Sequence, residues 1–394
     1  MRVSTLGFQT DASNQMQSLE AEITQTQTEL STGIALQNAA DNPAAMAQVT
    51  TLDAQISASQ QYQTNGSALN SNLQMAEQSL SDATTTMQSA RDLAVEANNA
   101  ALTPSQRQDI STQLQQLLQQ MVSTANSTDS NGNFLFSGET NTTQPFSQTG
   151  SSVAYNGSTS VSQVQISSNQ RISSGDSGAN VFMNIPGGNG TFTTAVGAAN
   201  TGTATIDTGT VTNASQWVPD TYTITFTDAT DYTVTNSAGP VTSGTYTSPG
   251  TITFNGISTT VTGTPAAGDT FTVAPAGTSS AFSTISNLIT ALNNPNLSSA
   301  QLTSQVGTTL EQMDAAVSNF SNVSASVGAR INAITASGTT ATASQTAMTG
   351  QVTSLQDVDY AAATTQLSTQ ELALQAAQES YASIAKMSLF SYLQ

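Results

Sequence analysis

The chain has 394 residues, no cysteine and no histidine, and charged residues make up only 8% of it, against roughly 25% in an ordinary soluble protein. Six Lys and Arg face 25 Asp and Glu, a net charge of −19 that repels nucleic-acid phosphates and anionic lipid headgroups, so neither nucleic acid nor membrane is expected as a partner. Without thiol or imidazole there are no disulfides, no histidine base and no zinc site of soft or nitrogen ligands. The remaining acids and amines form no nucleophile–base cluster, so no enzyme, cofactor or metal is expected.

Residues 1 to about 140 read as helix. Met16, Leu19, Ile23 and Leu30 recur at steps of three, four and seven. A break between Gly33 and Pro43 precedes Val49, Leu52 and Ile56. Then comes a regular seam of Leu69, Leu73, Ala76, Leu80, Ala83, Met87, Ala90 and Ala94, in alternating steps of four and three, as expected of one helix packing on another. A helix from about 47 to about 100 would be roughly 80 Å long, and a narrow seam stabilises such a helix only through tertiary or intermolecular packing. Thr103-Pro104 predicts the next N-terminus, with Thr103 as cap and Pro104 in the first helical position, followed by the stripe Ile110, Leu114, Leu117 and Met121.

From about 145 to about 280 Thr, Ser and Gly dominate and the period falls to two. Tyr222, Ile224 and Phe226 alternate with Thr, as do Ile252 and Phe254, then Phe271 and Val273, which predicts antiparallel sheet in one or two small β domains. Beyond about 281 a second helical stripe runs through Leu302, Val306, Leu310, Met313, Val317, Phe320, Val327, Ile331 and Ile334. The last segment carries Leu367, Leu374 and Tyr381 seven apart, with Ala377 and Ile384 at the added steps of three, and ends in Leu389, Phe390 and Leu393.

The expected fold is therefore α+β. Both termini form a long antiparallel helical bundle or coiled coil, and a central antiparallel β insertion caps the rod. The expected division is 1–44 with 355–394 as a terminal coiled-coil domain, 45–144 with 281–354 as a helical rod, and 145–280 as the β region. The two terminal segments have the thinnest stripes, so they are expected to order fully only within an assembly.

Several sharper readings give way to plainer ones. Asp357, Asp359 and Glu371 read as solvated charges near a helix start rather than a carboxylate site. Gly187-Gly188-Asn189-Gly190 has no following Lys and reads as a turn rather than a phosphate loop. Asn156-Gly157-Ser158 is taken as a chance sequon, and Trp217 as a packing residue rather than a ligand anchor.

A set of short motifs resembles one family. Met1-Arg2-Val3-Ser4-Thr5 is similar to the opening of hook–filament junction proteins. Leu30-Ser31-Thr32-Gly33 with Ala39-Ala40-Asp41-Asn42-Pro43-Ala44-Ala45 is similar to the "LSSG…ASDDPA" loop of the flagellin superfamily. Gly132-Asn133-Phe134-Leu135-Phe136-Ser137-Gly138 resembles "GxYLFxG", and Gly328-Ala329-Arg330-Ile331-Asn332 resembles "GxRxN". Ser388-Leu389-Phe390-Ser391-Tyr392-Leu393 resembles the junction proteins' "LSLFDYL" finish. Asn42 departs from the usual Asp, and Ile34 lies in a stretch that is usually basic. The set covers 1–140 and 285–394, and the chain resembles the flagellar hook–filament junction proteins of the FlgL type.

That resemblance implies a structural, non-enzymatic, motility-related subunit, outside the cell at the joint between hook and filament. The opening residues lack the apolar core of a secretory signal, which alone would read as cytoplasmic; the resemblance implies flagellar type III export of the unfolded chain instead. It implies a ring of copies of this chain, with a second hook-associated junction protein, flagellin and an export chaperone as partners. It places Met16, Leu19, Ile23, Leu30, Leu367, Leu374, Tyr381, Ile384, Leu389, Phe390 and Leu393 at subunit contacts, and makes Asp41 and Asn42 part of a contact loop. Flagellin itself is the first rival within the family, and the other hook-associated protein of the junction is a further one. A surface adhesin or carbohydrate-binding β module is the rival from another class.

Overall fold

The computed structural model describes residues 5–99 and 101–392. Helices flank a central β-rich insertion, so the α+β expectation is met. The helices are α1 (Thr5–Thr32), α2 (Pro43–Ala97), α3 (Pro104–Ala125), α4 (Ala281–Leu292), α5 (Ser299–Gln356) and α6 (Tyr360–Tyr392). The chain divides into two compact units, Met1–Thr64 with Ser337–Gln394, and Asn65–Ala336. These divisions fall inside α2 and α5, whereas the sequence-based divisions at 44/45 and 354/355 sit beside the α1–α2 loop and the α5–α6 linker.

Local chemistry sets the helix starts. Asn42 Oδ1 accepts the N–H of Ala45 at 3.1 Å and Pro43 fills the first helical position, so α2 begins at 43 rather than near 47. Periodicity finds the first apolar repeat, not the cap that precedes it. Thr103 caps α3 as expected. Its hydroxyl accepts the N–H of Gln106 at 3.3 Å, while Gln106 Oε1 accepts the N–H of Thr103 at 2.9 Å.

In the Asn65–Ala336 unit the predicted α2 seam is buried along its whole length, from Leu69 to Ala94. It shares one core with Val306, Met313, Phe320, Val327 and Ile334 of α5 and Ile110, Leu114 and Met121 of α3. The predicted stripe of α3 needs one correction: Leu118 is buried and Leu117 only half-buried, because this face steps by four from Leu114 before returning by three to Met121. The α2 and α5 portions run antiparallel, tied by Arg91 Nε to Asp314 Oδ1 at 2.6 Å and by Ser324 Oγ donating to Glu77 Oε1 at 2.5 Å.

Five strands join this helical body: β1 (Phe146–Thr149), β2 (Ser152–Tyr155), β3 (Gln163–Ser167), β4 (Gln170–Ser173) and β5 (Ile185–Pro186). β1 pairs with β2 and β3 with β4, and Phe146, Ile166 and Ile172 enter the helical core. At the centre stands Phe182, on a single π-helical turn, with ring centroids 5.3 Å from Phe136, 5.5 Å from Phe146, 5.8 Å from Phe282 and 5.4 Å from Phe320.

The rest of the insertion forms a lobe with its own core. Its strands are β6 (Phe192–Val196), β7 (Thr205–Ile206), β8 (Thr210–Val211), β9 (Tyr222–Phe226), β10 (Asp231–Asn236), β11 (Gly239–Thr245), β12 (Gly250–Phe254), β13 (Ile257–Thr262) and β14 (Thr270–Pro275). One sheet has the order β11-β10-β9-β14-β6 and the other β12-β13-β7, with β8 also on β13. The inward residues are those the alternation predicted: Tyr222, Ile224, Phe226, Ile252, Phe254, Phe271 and Val273 are all buried. Asn255 and Gly256, with φ of 43° and 75°, make the tight β12–β13 turn. Trp217 packs 5.6 Å from Phe192 and 5.7 Å from Tyr222, a packing role as expected. Gly187 to Gly190 is a turn, closed by the N–H of Gly190 on the Gly187 carbonyl at 3.1 Å. The final strand β15 (Thr278–Ser279) pairs with β5 where the chain enters and leaves the lobe.

Candidate assembly site and its relatives

The contact residues expected from the sequence gather in the unit made of the two chain ends. On α1, Ala12, Met16, Leu19, Ile23 and Leu30 are half-buried and Thr26 is buried. On α6, Ala363 is buried and Leu367, Gln370, Leu374, Ala377 and Tyr381 are half-buried. Both series step by four and three, the period of a helix seam. α1 and α6 pack on each other, and Thr26 Oγ1 lies 3.0 Å from both Gln370 Oε1 and the Glu22 carbonyl oxygen. The helices are antiparallel, as the bridge between Ile34 and Asp357 requires. Equal rise per residue then puts Ile23 level with Leu374, Met16 with Tyr381 and Leu30 with Leu367, to within about one residue. Ile384, Leu389 and Phe390 fall on the backbone of α6, with side chains outside the described set, and Leu393 lies outside the described residues.

A backbone clasp closes one end of this seam. The N–H groups of Ala35 and Leu36 donate to the Gln356 carbonyl at 2.7 and 3.4 Å, and the N–H of Val358 donates to the Gly33 carbonyl at 3.0 Å. Gly33 has φ +75°, a conformation that favours glycine, and the Tyr360 hydroxyl lies 3.0 Å from where a Cβ would sit. Asp41 Oδ2 accepts the N–H of Gln37 at 3.1 Å and of Asn38 at 2.8 Å, which folds the loop on itself. Asn42 caps α2 by the bond to Ala45 that an Asp would also make, so the departure from the family pattern keeps the cap. Ile34 is exposed, and Leu36, unmarked by the sequence stripes, is the buried residue of the loop. Asp359 Oδ1 accepts the N–H groups of Ala361 and Ala362 at 3.0 and 3.1 Å, so it serves as the α6 cap.

The other two motifs stabilise the Asn65–Ala336 unit. Asp129 Oδ1 accepts the N–H of Asn131 at 2.8 Å and of Asn133 at 2.9 Å, and Phe136 and Ser137 are buried behind this turn. Burial pushes the Asp129 carboxyl up, but the donors of Asn133 and Asn131 outweigh it and hold the group below the usual carboxylate range. A Cβ on Gly138 would lie 2.2 Å from the Ser158 carbonyl oxygen. The Arg330 guanidinium donates to the Gly175 carbonyl at 3.0 Å and pairs with Asp176.

The family model "Bacterial flagellin N-terminal helical region" matches residues 3–142, and "Bacterial flagellin C-terminal helical region" matches 310–393. A third, "Flagellar hook-associated protein 1, D2-like domain", matches 196–275, which is the β lobe. A crystal structure of flagellar hook-associated protein-3 from Legionella pneumophila is 31% identical with a TM-score of 0.74, covering 78% of this chain and 98% of that one. The chain belongs to the hook-associated protein 3 family. A crystal structure of the flagellar junction protein FlgL from the same organism agrees, at 31% identity and TM-score 0.71 over 79% of this chain and all of the other. Flagellar hook-associated protein 3 of Salmonella typhimurium is 30% identical over 47% of this chain. The chain spans about half the length of the curated hook-associated protein 3 relatives it matches, 58% and 49%. The resemblance carried by the sequence motifs is thereby borne out, and flagellin is not the better match.

Proposed function

We propose that this chain is a structural subunit of the bacterial flagellum that forms the hook–filament junction. Copies assemble into a ring, with the second hook-associated junction protein on one side and the first flagellin subunits on the other. It works outside the cell, delivered by flagellar type III export with an export chaperone, and catalyses nothing. The observation that carries this reading is the terminal seam, in a chain that aligns with 98% of a hook-associated protein 3 structure. Two helices alone leave Met16, Leu19, Ile23, Leu30, Leu367, Leu374 and Tyr381 only half-buried. Neighbouring copies would complete that burial, and each Leu taken from half to full burial adds about 1 kcal/mol per copy. Leu36, Asp41 and Asn42 hold the loop beside the seam.

Complementation of a strain lacking the chain tests it. Leu367→Asp with Leu374→Asp is expected to abolish filament growth and swimming while the β lobe keeps its unfolding transition. Normal filaments on the double variant would contradict the assembly role of the seam.

A further inference from the structure

Helix α5 has two faces of opposite character. One is the apolar stripe described above. The other presents Gln301, Ser304, Gln305, Thr308, Thr309 and Gln312, and it faces the β lobe across a solvent-open cleft of about 570 Å³. The far wall is the end of β6 and its continuation through Ala198, and Asn287 and Asn294 close the side nearest α4. No charged and no aromatic residue is among the described residues that line it. A hydrogen bond from Gln301 Nε2 to the Ala198 carbonyl at 2.8 Å spans the cleft. The side-chain amides of Asn287 and Gln305 have no hydrogen-bond partner among the described residues.

A face that served only to seat the lobe would be apolar and closed. This one is open to solvent, within the volume range of small-molecule sites, and converges amides and hydroxyls on one groove. An ionic ligand would find no counter-charge there, and an apolar one would strand the amides without partners. A ligand dense in neutral hydroxyls satisfies both conditions, because each hydroxyl donates and accepts and an amide offers both complements. We propose that this cleft binds a neutral saccharide. The site is composite, built from α4, α5 and the lobe together, and does not depend on the junction reading. With no aromatic platform to stack on, the affinity falls in the millimolar range.

The test is a titration of the full-length chain, labelled with nitrogen-15, with maltotriose and with triacetylchitotriose to tens of millimolar. The side-chain amide resonances of Asn287 and Gln305 are followed. Saturable shifts are expected with at least one sugar. Asn287→Ala and Gln305→Ala should each weaken binding about three- to tenfold, the loss of one hydrogen bond. Ser304→Trp, which fills the cleft, should abolish binding. The backbone spectrum of each variant checks that it folds. No saturable shift with either sugar overturns the proposal, as do shifts that survive all three substitutions. So does saturation by a neutral Gln/Ser peptide in place of the sugars.

Discussion

Asp129 shows how a single carboxylate can hold a motif together. Its folded pKa is depressed, so the stability it contributes is present above the unfolded value of about 3.9 and is lost as pH falls through the folded value. Asp129→Asn removes the charge from bonds that the N–H groups of Asn131 and Asn133 still need, at a cost of about 2 kcal/mol. Denaturation midpoints near neutrality should fall accordingly. Across the acid range the variant should lose less than the parent, because its share is already gone. Gly256 is the corresponding point in the β lobe. Its φ is +75° and a Cβ would lie 2.1 Å from the Asn213 carbonyl oxygen, so Gly256→Val must displace the β12–β13 turn. Trp217 fluorescence should report earlier unfolding of the lobe, while the helical signal holds its midpoint.

At the scale of elements, the α3 cap offers a clean measurement. Thr103→Ala removes the hydroxyl arm of the capping box, leaving the backbone N–H of residue 103 on Gln106 Oε1, and should cost about 1 kcal/mol, read as a lower midpoint for the helical unit. This cap was legible in the sequence because Thr-Pro states its own geometry. The long α2 seam was legible for a different reason: eight apolar residues at constant phase admit one helix face. The terminal seam was only partly so. Its heptad includes Thr26 and Gln370, polar residues that an apolar stripe skips, and Ala363, too small to stand out. The clasp between Gly33 and Val358 left no side-chain signal, since its bonds are made by backbone groups distant in sequence. Leu118 was displaced to Leu117 because two neighbouring leucines satisfy either phase until the partner helix chooses. The lobe's alternation located its core residues, yet strand order depends on pairings between distant segments, which periodicity does not encode.

For the whole molecule, the low charge has an assembly consequence. Two ion pairs, Arg91–Asp314 and Arg330–Asp176, are present among the described residues, and neither belongs to the terminal seam. In the proposed assembly, cohesion at the ends would therefore rest on apolar burial and neutral hydrogen bonds, which salt screens little. Swimming assemblies should withstand high ionic strength and fail with apolar-to-charged changes such as Leu374→Asp. Immunogold electron microscopy of intact cells with antibody to residues 145–280 reads the position of the proposed junction subunit. Label is expected at one spot per flagellum, between hook and filament. Label along the whole filament, or none on flagella, would contradict it.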